Sequence, residues 1–263
     1  MRSSLASLAL LVAGCSTGRY DADYAKALSA YRDAAPFAVL QPQPTEFASR
    51  RVSMRLPLGF VEVVDGPPLV EGGPPVKPDP SRLRPPFLTD LPGYQATHEQ
   101  RLAAEGAELP AAVAVGVLPA SAGRAVVEKT ILEQARADEA FKGDSQGWAD
   151  RQVEPRGGGP GDWRVLTLVG QQVFESLVAG NQEYKRWDGT CEIWLSADPQ
   201  QELIMVVAWR VPEKVAGSLP VPLSQLAEAA ARTVAIGPAP VAPVDGEPVE
   251  EPPPDAPPPA ATP

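Results

Sequence analysis

Apolar and polar residues follow readable rhythms along this chain. In "RRVSMRLPLGFVEV" the positions Val52, Met54 and Leu56 alternate with polar ones, which predicts a strand ended by Pro57, Leu58 and Gly59. "AAVAVGVLP" predicts a short, fully apolar strand, and "SAGRAVVEKTILEQARADEAF" a helix with Ser121 as its cap and Val127, Ile131, Leu132 and Ala135 as its inward stripe. "WADRQVEP" is a weaker strand, followed by the turn "RGGGPGD". A run of strands comes next. "WRVLTLVGQQVFESLV" is long, with Gly170 marking a bulge or bend. "AGNQ" turns it into "EYKRWDGTCEIWLS", which Asp188 and Gly189 bend or divide. "ADPQQ" turns again into "ELIMVVAWRVP", apolar from Leu203 to Trp209 and therefore expected at the centre of a sheet covered on both faces. "PLSQLAEAAARTVAI" closes the domain as a helix with Leu226, Ala230 and Val234 inward. Short turns between the late strands require antiparallel pairing. The expected fold class is α+β, a largely antiparallel sheet with helices packed on it as an α/β/α sandwich.

This domain is expected over residues 46–236, and three tracts lie outside its core. Residues 15–45 form a tether with a short helical pattern, "DADYAKALSAYRDAA", in which Tyr24, Leu28 and Tyr31 share a stripe and Asp21 stands in capping position. Residues 66–92 hold nine prolines and read as an extended surface loop, because proline fixes φ and removes a backbone donor. Residues 237–263 hold 11 prolines and five acids without a base. That composition predicts a disordered tail with polyproline-II bias. It lacks Phe, Trp and Tyr, so a solubilising role is expected ahead of a recognition arm.

The first residues read as a secretory leader: Arg2 supplies positive charge and Leu5 to Val12 an apolar stretch, too short to span a bilayer. Residues 1–14 are the expected signal peptide. Val12-Ala13-Gly14-Cys15 resembles the lipobox of bacterial lipoproteins. The resemblance implies a diacylglyceryl group on the Cys15 thiol, cleavage before Cys15, and acylation of the new amine. Two or more acyl chains anchor a protein stably at about 0.8 kcal/mol per buried CH₂. Membrane attachment through the lipid anchor and a domain in the periplasm follow. Ser16 stands where an aspartate would favour inner-membrane retention in some bacteria, which leans the expectation to the outer membrane.

Charge and cysteine content narrow the partners. The net charge of −10 disfavours nucleic acid and anionic lipid headgroups. With Cys15 lipidated, Cys191 is the only remaining thiol, so no internal disulfide forms. It shares a strand face with Ile193 and Leu195 and is expected as a small buried hydrophobe rather than a reactive thiol. Trp194 is opposite in phase, which predicts a second buried face beneath a helix or, failing that, an exposed patch for a partner.

Arg55-Leu56-Pro57-Leu58-Gly59-Phe60, together with the closing strand and helix, resembles the PsbP-like α/β/α sandwich over about 190 residues. The proline-rich insert after the first strand departs from that pattern. The fold so implied hosts binding and assembly proteins without a shared chemistry.

Candidate chemistry is sparse. "GDSQG", residues 143–147, matches the nucleophile elbow G-x-S-x-G with Ser145 as attacker, but an elbow needs a strand before it and a helix after it, and the order here is reversed. Gly143 fits better as a helix cap. The only histidine, His98, lies 47 residues before Ser145, at the edge of the proline-rich loop. One histidine and one thiol make no zinc set, no calcium loop appears, and "RGGGPG" lacks the Lys-Ser/Thr of a phosphate loop. The pair Asp138-Glu139 reads as solvated. No cofactor is expected. The chain reads as a non-enzymatic, membrane-anchored envelope lipoprotein that binds an envelope protein or plays a structural part. A small-ligand-binding lipoprotein, with a pocket between sheet and helix, is the alternative, and a serine hydrolase using Ser145 the third reading.

Overall fold

The computed structural model describes residues 17–48, 51–63, 91–137, 147–156, 158–178, 181–198 and 202–237. The helices are α1 (Thr17–Ala34), α2 (Arg124–Ala137), α3 (Glu213–Ala216) and α4 (Leu223–Ala231). The strands are β1 (Thr45–Phe47), β2 (Val52–Met54), β3 (Val61–Glu62), β4 (Tyr94–Ala104), β5 (Ala107–Pro119), β6 (Trp148–Gln152), β7 (Asp162–Val178), β8 (Asn181–Asp198), β9 (Leu203–Pro212) and β10 (Ala235–Ile236). The fold is α+β. Seven strands form one antiparallel sheet in the order β3-β4-β5-β9-β8-β7-β6. No helix among the described residues is long and apolar enough to cross a membrane.

The apolar run in β9 decides the layering. All of its residues from Leu203 to Pro212 are buried, and it lies fourth of the seven strands. On one face Ile204, Val206 and Ala208 pack with Cys191, Ile193 and Leu195 against the α2 stripe of Val127, Ile131 and Ala135. On the other, Met205, Val207, Trp209, Trp163 and Trp194 pack against Leu226 and Ala230 of α4 and against Val52 and Met54 of β2. Trp194 thus points away from Cys191 into a second buried layer, as its phase requires.

Several expectations need correction. Ser121 does not cap α2; it sits in a 3-10 turn, Ala120–Ala122, and Gly123 with φ 75° makes the entry to the helix. β2 does not join the large sheet but pairs with β1 and β10 in a separate small one, because both Val52 and Met54 are buried against the large sheet's face. The core also draws on Phe37 and Leu40, ahead of residue 46. β4 gave no apolar rhythm: "YQATHEQRLAA" is half-buried along most of its length. It forms a hairpin with β5 through Glu105 and Gly106, both at positive φ, the geometry whose twist suits a two-residue hairpin loop. The turn "RGGGPGD" does link β6 to β7 as a hairpin. The bulk of the proline-rich stretch 66–92, the tail beyond Gly237, and residues 138–146 lie outside the described residues.

β7 and β8 run undivided through the paired glycines Gly170↔Gly189, with no bulge. β9 ends at this level, where Gly189 faces Pro212. Beyond it the far end of β7 pairs with the start of β5, Ala107↔Val178 and Glu108↔Leu177, so the sheet closes around the end of β9. Within this closure Arg210, Gln172, Phe174 and Ser176 are buried. The Arg210 Nε–H donates to Gln172 Oε1 at 2.6 Å, its guanidinium lies 4.2 Å from the centre of the Phe174 ring, and the Gln172 amide donates to the Gly189 carbonyl at 3.0 Å. A Cβ on Gly189 would meet Phe174 Cζ at 2.9 Å and the Val211 carbonyl oxygen at 3.1 Å. Overpacking of this kind costs about 1–3 kcal/mol. Gly189→Ala is expected to lower stability by about that amount, and Phe174→Leu in the same chain to recover part of the loss; urea denaturation of the two variants checks both.

Candidate functional site

The site that the fold assembles lies where α1 meets the domain. After α1 the chain makes a 3-10 turn, Ala35–Phe37, and plants Phe37 and Leu40 in the core. Leu40 then bridges to Pro57, and the Gln41 N–H donates to the Leu56 carbonyl at 2.7 Å. This brings Arg55, at the end of β2, under the turn. Its Nε–H donates to the Gln41 carbonyl, and its Nη2 lies 3.5 Å from the carbonyl oxygens of Phe37 and Leu40. The Arg55 backbone N–H donates to Thr233 Oγ1 at 2.9 Å, and that hydroxyl donates onward to the Ala230 carbonyl at 2.7 Å. From the other side comes Arg156, in the β6–β7 turn. Its backbone N–H donates to the Arg232 carbonyl at 2.8 Å, and its guanidinium stacks 4.3 Å from the centre of the Phe37 ring.

Between these parts lies a cleft of about 530 Å³, lined by Ala34, Phe37, Ala38, Arg55, Arg156 and Thr233. Ala34, Ala38 and Arg156 are exposed, so it opens to solvent. Its volume falls in the range of small-molecule pockets. Arg124, Arg151, Arg164 and Arg232 each sit beside a carboxylate, as do Lys129 and Lys214. Among the described residues neither Arg55 nor Arg156 has one.

The chain matches no family model and no curated protein. Among solved structures it is similar to the Ran-binding protein Mog1p of Saccharomyces cerevisiae, at 12% identity and a TM-score of 0.40, over 75% of this chain and 96% of that one. A mutant of Mog1 is similar at 13% identity and a TM-score of 0.39, over 74% of this chain and 95% of that one.

The residues singled out from the sequence do not converge on this cleft. Cys15, Ser145, Asp138 and Glu139 lie outside the described residues. Around the Ser145 motif, α2 precedes and β6 follows, the reverse of a nucleophile elbow. His98 is buried in β4 with its ring 6.0 Å from that of Phe47, edge on, and its Nδ1 has no hydrogen-bond partner among the described residues. Burial holds its pKa below the usual value, against the opposing charge of Glu62. Cys191 is fully buried and forms no disulfide among the described residues. Among the described residues no three His, Cys, Asp or Glu side chains gather as a metal site.

Arg55 and Arg156 escaped sequence reasoning. The only signal was position: each opens a glycine-bearing turn, "RLPLG" and "RGGGPG". Nothing in a chain with 23 Lys and Arg marks two of them, 101 positions apart, as neighbours.

A second charged feature lies on the α4 face. The Glu192 carboxylate is buried and accepts the Trp194 indole N–H at 3.2 Å. Burial pushes its pKa up; the Trp194 hydrogen bond and the charge of Arg151 oppose the shift without cancelling it. Nearby Glu228 shows the opposite balance. Burial raises its pKa, but hydrogen bonds and charge from Arg151 and Arg232 outweigh burial and hold it low. With its folded pKa raised, Glu192 binds a proton more tightly in the folded chain than in the unfolded one. The fold therefore loses stability as pH rises through the usual value of 4.5 and on through the folded value. Glu192→Gln keeps an oxygen for the Trp194 N–H and is expected to raise the denaturation midpoint at neutral pH. The gap to wild type should close as the pH falls to about 4.5, as urea titrations at several pH values will check.

Proposed function

We propose that this chain is a lipid-anchored protein of the cell envelope, held by Cys15, whose domain works by binding rather than by catalysis. The observation that carries the reading is the placement of α1. Its first residue, Thr17, follows Cys15 by two positions, and residues 22–29 are exposed apart from the half-buried Leu28. A helix of 18 residues is about 27 Å long. With that middle stretch exposed, it serves as a spacer between acyl chains and domain. Its far end, Ala34, forms one wall of the cleft. The tether would thus present the cleft to components of the periplasm at a fixed reach from the membrane, the outer one given Ser16.

The cleft also favours the second reading, a small-ligand-binding lipoprotein, over an envelope-protein partner that would need a broad surface. Protein–protein interfaces bury about 800 Å² on each partner, whereas this opening is concave and local. A hydrolase acting through Ser145 finds less support, because the flanking elements run in the wrong order.

Cys15→Ser is expected to leave the leader uncut and to stop acylation. In the wild type, intact-mass measurement should give a chain starting at Cys15 with the mass of its acyl groups added. A wild-type chain that retains residues 1–14, or carries no lipid, would overturn the anchor.

A further inference from the structure

We infer that the cleft between the end of α1 and the domain binds a small amphiphile, an anionic head on a short apolar body. The inference deepens the binding reading of that cleft and needs no lipid on Cys15.

Two arginines, Arg55 and Arg156, line this cleft without a carboxylate among the described residues to neutralise them, in a chain whose net charge is −10. Long-range repulsion from that net charge is screened beyond about 8 Å at physiological ionic strength. The local field of Arg55 and Arg156 therefore decides what binds. The two are held differently. Arg55 is fixed by backbone carbonyls through Nε and Nη2, and among the described residues its Nη1 makes no further hydrogen bond. Arg156 is held by its stacking on Phe37, with its edge donors exposed to solvent. Guanidinium groups in fixed poses match planar or tetrahedral oxyanions with paired donors. The Thr233 hydroxyl gives its proton to Ala230 and accepts from Arg55, so it completes the polar wall and offers the ligand no donor. The remaining wall is apolar: Ala34, Ala38 and the Phe37 ring. Charge at one side and apolar surface at the other describe an amphiphile. A bare inorganic anion would leave the alanine wall unused, and a neutral lipid would leave two charges unmet. The cleft's 530 Å³ suits a body of several carbons and not a folded partner.

The test uses residues 15–263 produced without the leader and with Cys15→Ser, so that neither detergent nor its own acyl groups compete. Calorimetric titrations with octanoate, octyl phosphate and octanol compare heads on one body. One molecule of octanoate or octyl phosphate is expected to bind per chain, and octanol at least tenfold more weakly. Whichever anion binds tighter identifies the preferred head, and either supports the inference. Arg156→Gln removes an exposed guanidinium that also stacks on Phe37, and is expected to weaken binding of the anion about tenfold while lowering the thermal midpoint only slightly. Ala38→Phe fills the cleft and leaves both arginines in place; it is expected to abolish binding. Equal binding of octanol, no binding of either anion, or binding indifferent to both substitutions would overturn the inference. So would octanoate binding that appears only after Glu247, Glu250 and Glu251 are changed to Gln. That result assigns the cleft to the chain's own acidic tail. None of these outcomes touches the lipid on Cys15, which the intact-mass measurement reads separately.

Discussion

The burial of β9 on both faces is the constraint from which the other layers follow. All ten of its residues but Arg210 are apolar, and they point to both sides, so each face of the sheet must be covered. One face takes the α2 stripe of Val127, Ile131 and Ala135. The other takes α4 and the small sheet of β1, β2 and β10. The helices are far apart in sequence, and the strand between them makes them parts of one sandwich. Removing apolar surface from water stabilises this arrangement by roughly 25 cal/mol per Å².

Where β9 stops, the solution changes. The β7–β8 hairpin is longer than β9 and has no further central strand to pair with, so its end meets β5 instead. That closure leaves a buried space too polar for aliphatic packing. It is filled by Arg210, which lies over Phe174 and donates to Gln172, while Gln172 donates to Gly189. Burying a guanidinium is costly, and the hydrogen bond to Gln172 and the Phe174 ring offset part of that cost. The absence of a side chain at Gly189 is what lets Phe174 lie close enough to cover the charge.

The cleft arises at the opposite kind of place, where the core layer ends and loops meet. Phe37 anchors the end of α1 in the core, and its outer face carries Arg156. Four backbone and side-chain hydrogen bonds tie Arg55, Gln41, Thr233 and Ala230 across three segments. The result is a hydrogen-bonded floor under an open cleft, a usual setting for recognition on loops held by a firm scaffold. Burial at Glu192 and His98 is a different matter: both are ionisable groups held against their charged forms inside the structure, away from the cleft-lining residues.

What the sequence determined by itself was whatever rests on local rhythm. The apolar run of Leu203–Trp209, the stripes of α2 and α4, and the opposite phases of Cys191 and Trp194 are written in periods of two and 3.6 residues, and the elements obey them. The lipobox-like Val12-Ala13-Gly14-Cys15 is likewise a contiguous string, readable without a fold. Tertiary structure decided the rest. β4 became a strand because β5 lay beside it, although "YQATHEQRLAA" carries no alternation of its own. β2 left the large sheet because its side chains could be buried on that sheet's face. That Arg55 and Arg156 line one cleft depends on turns that bring distant segments together, and spacing along a chain does not encode distance in space.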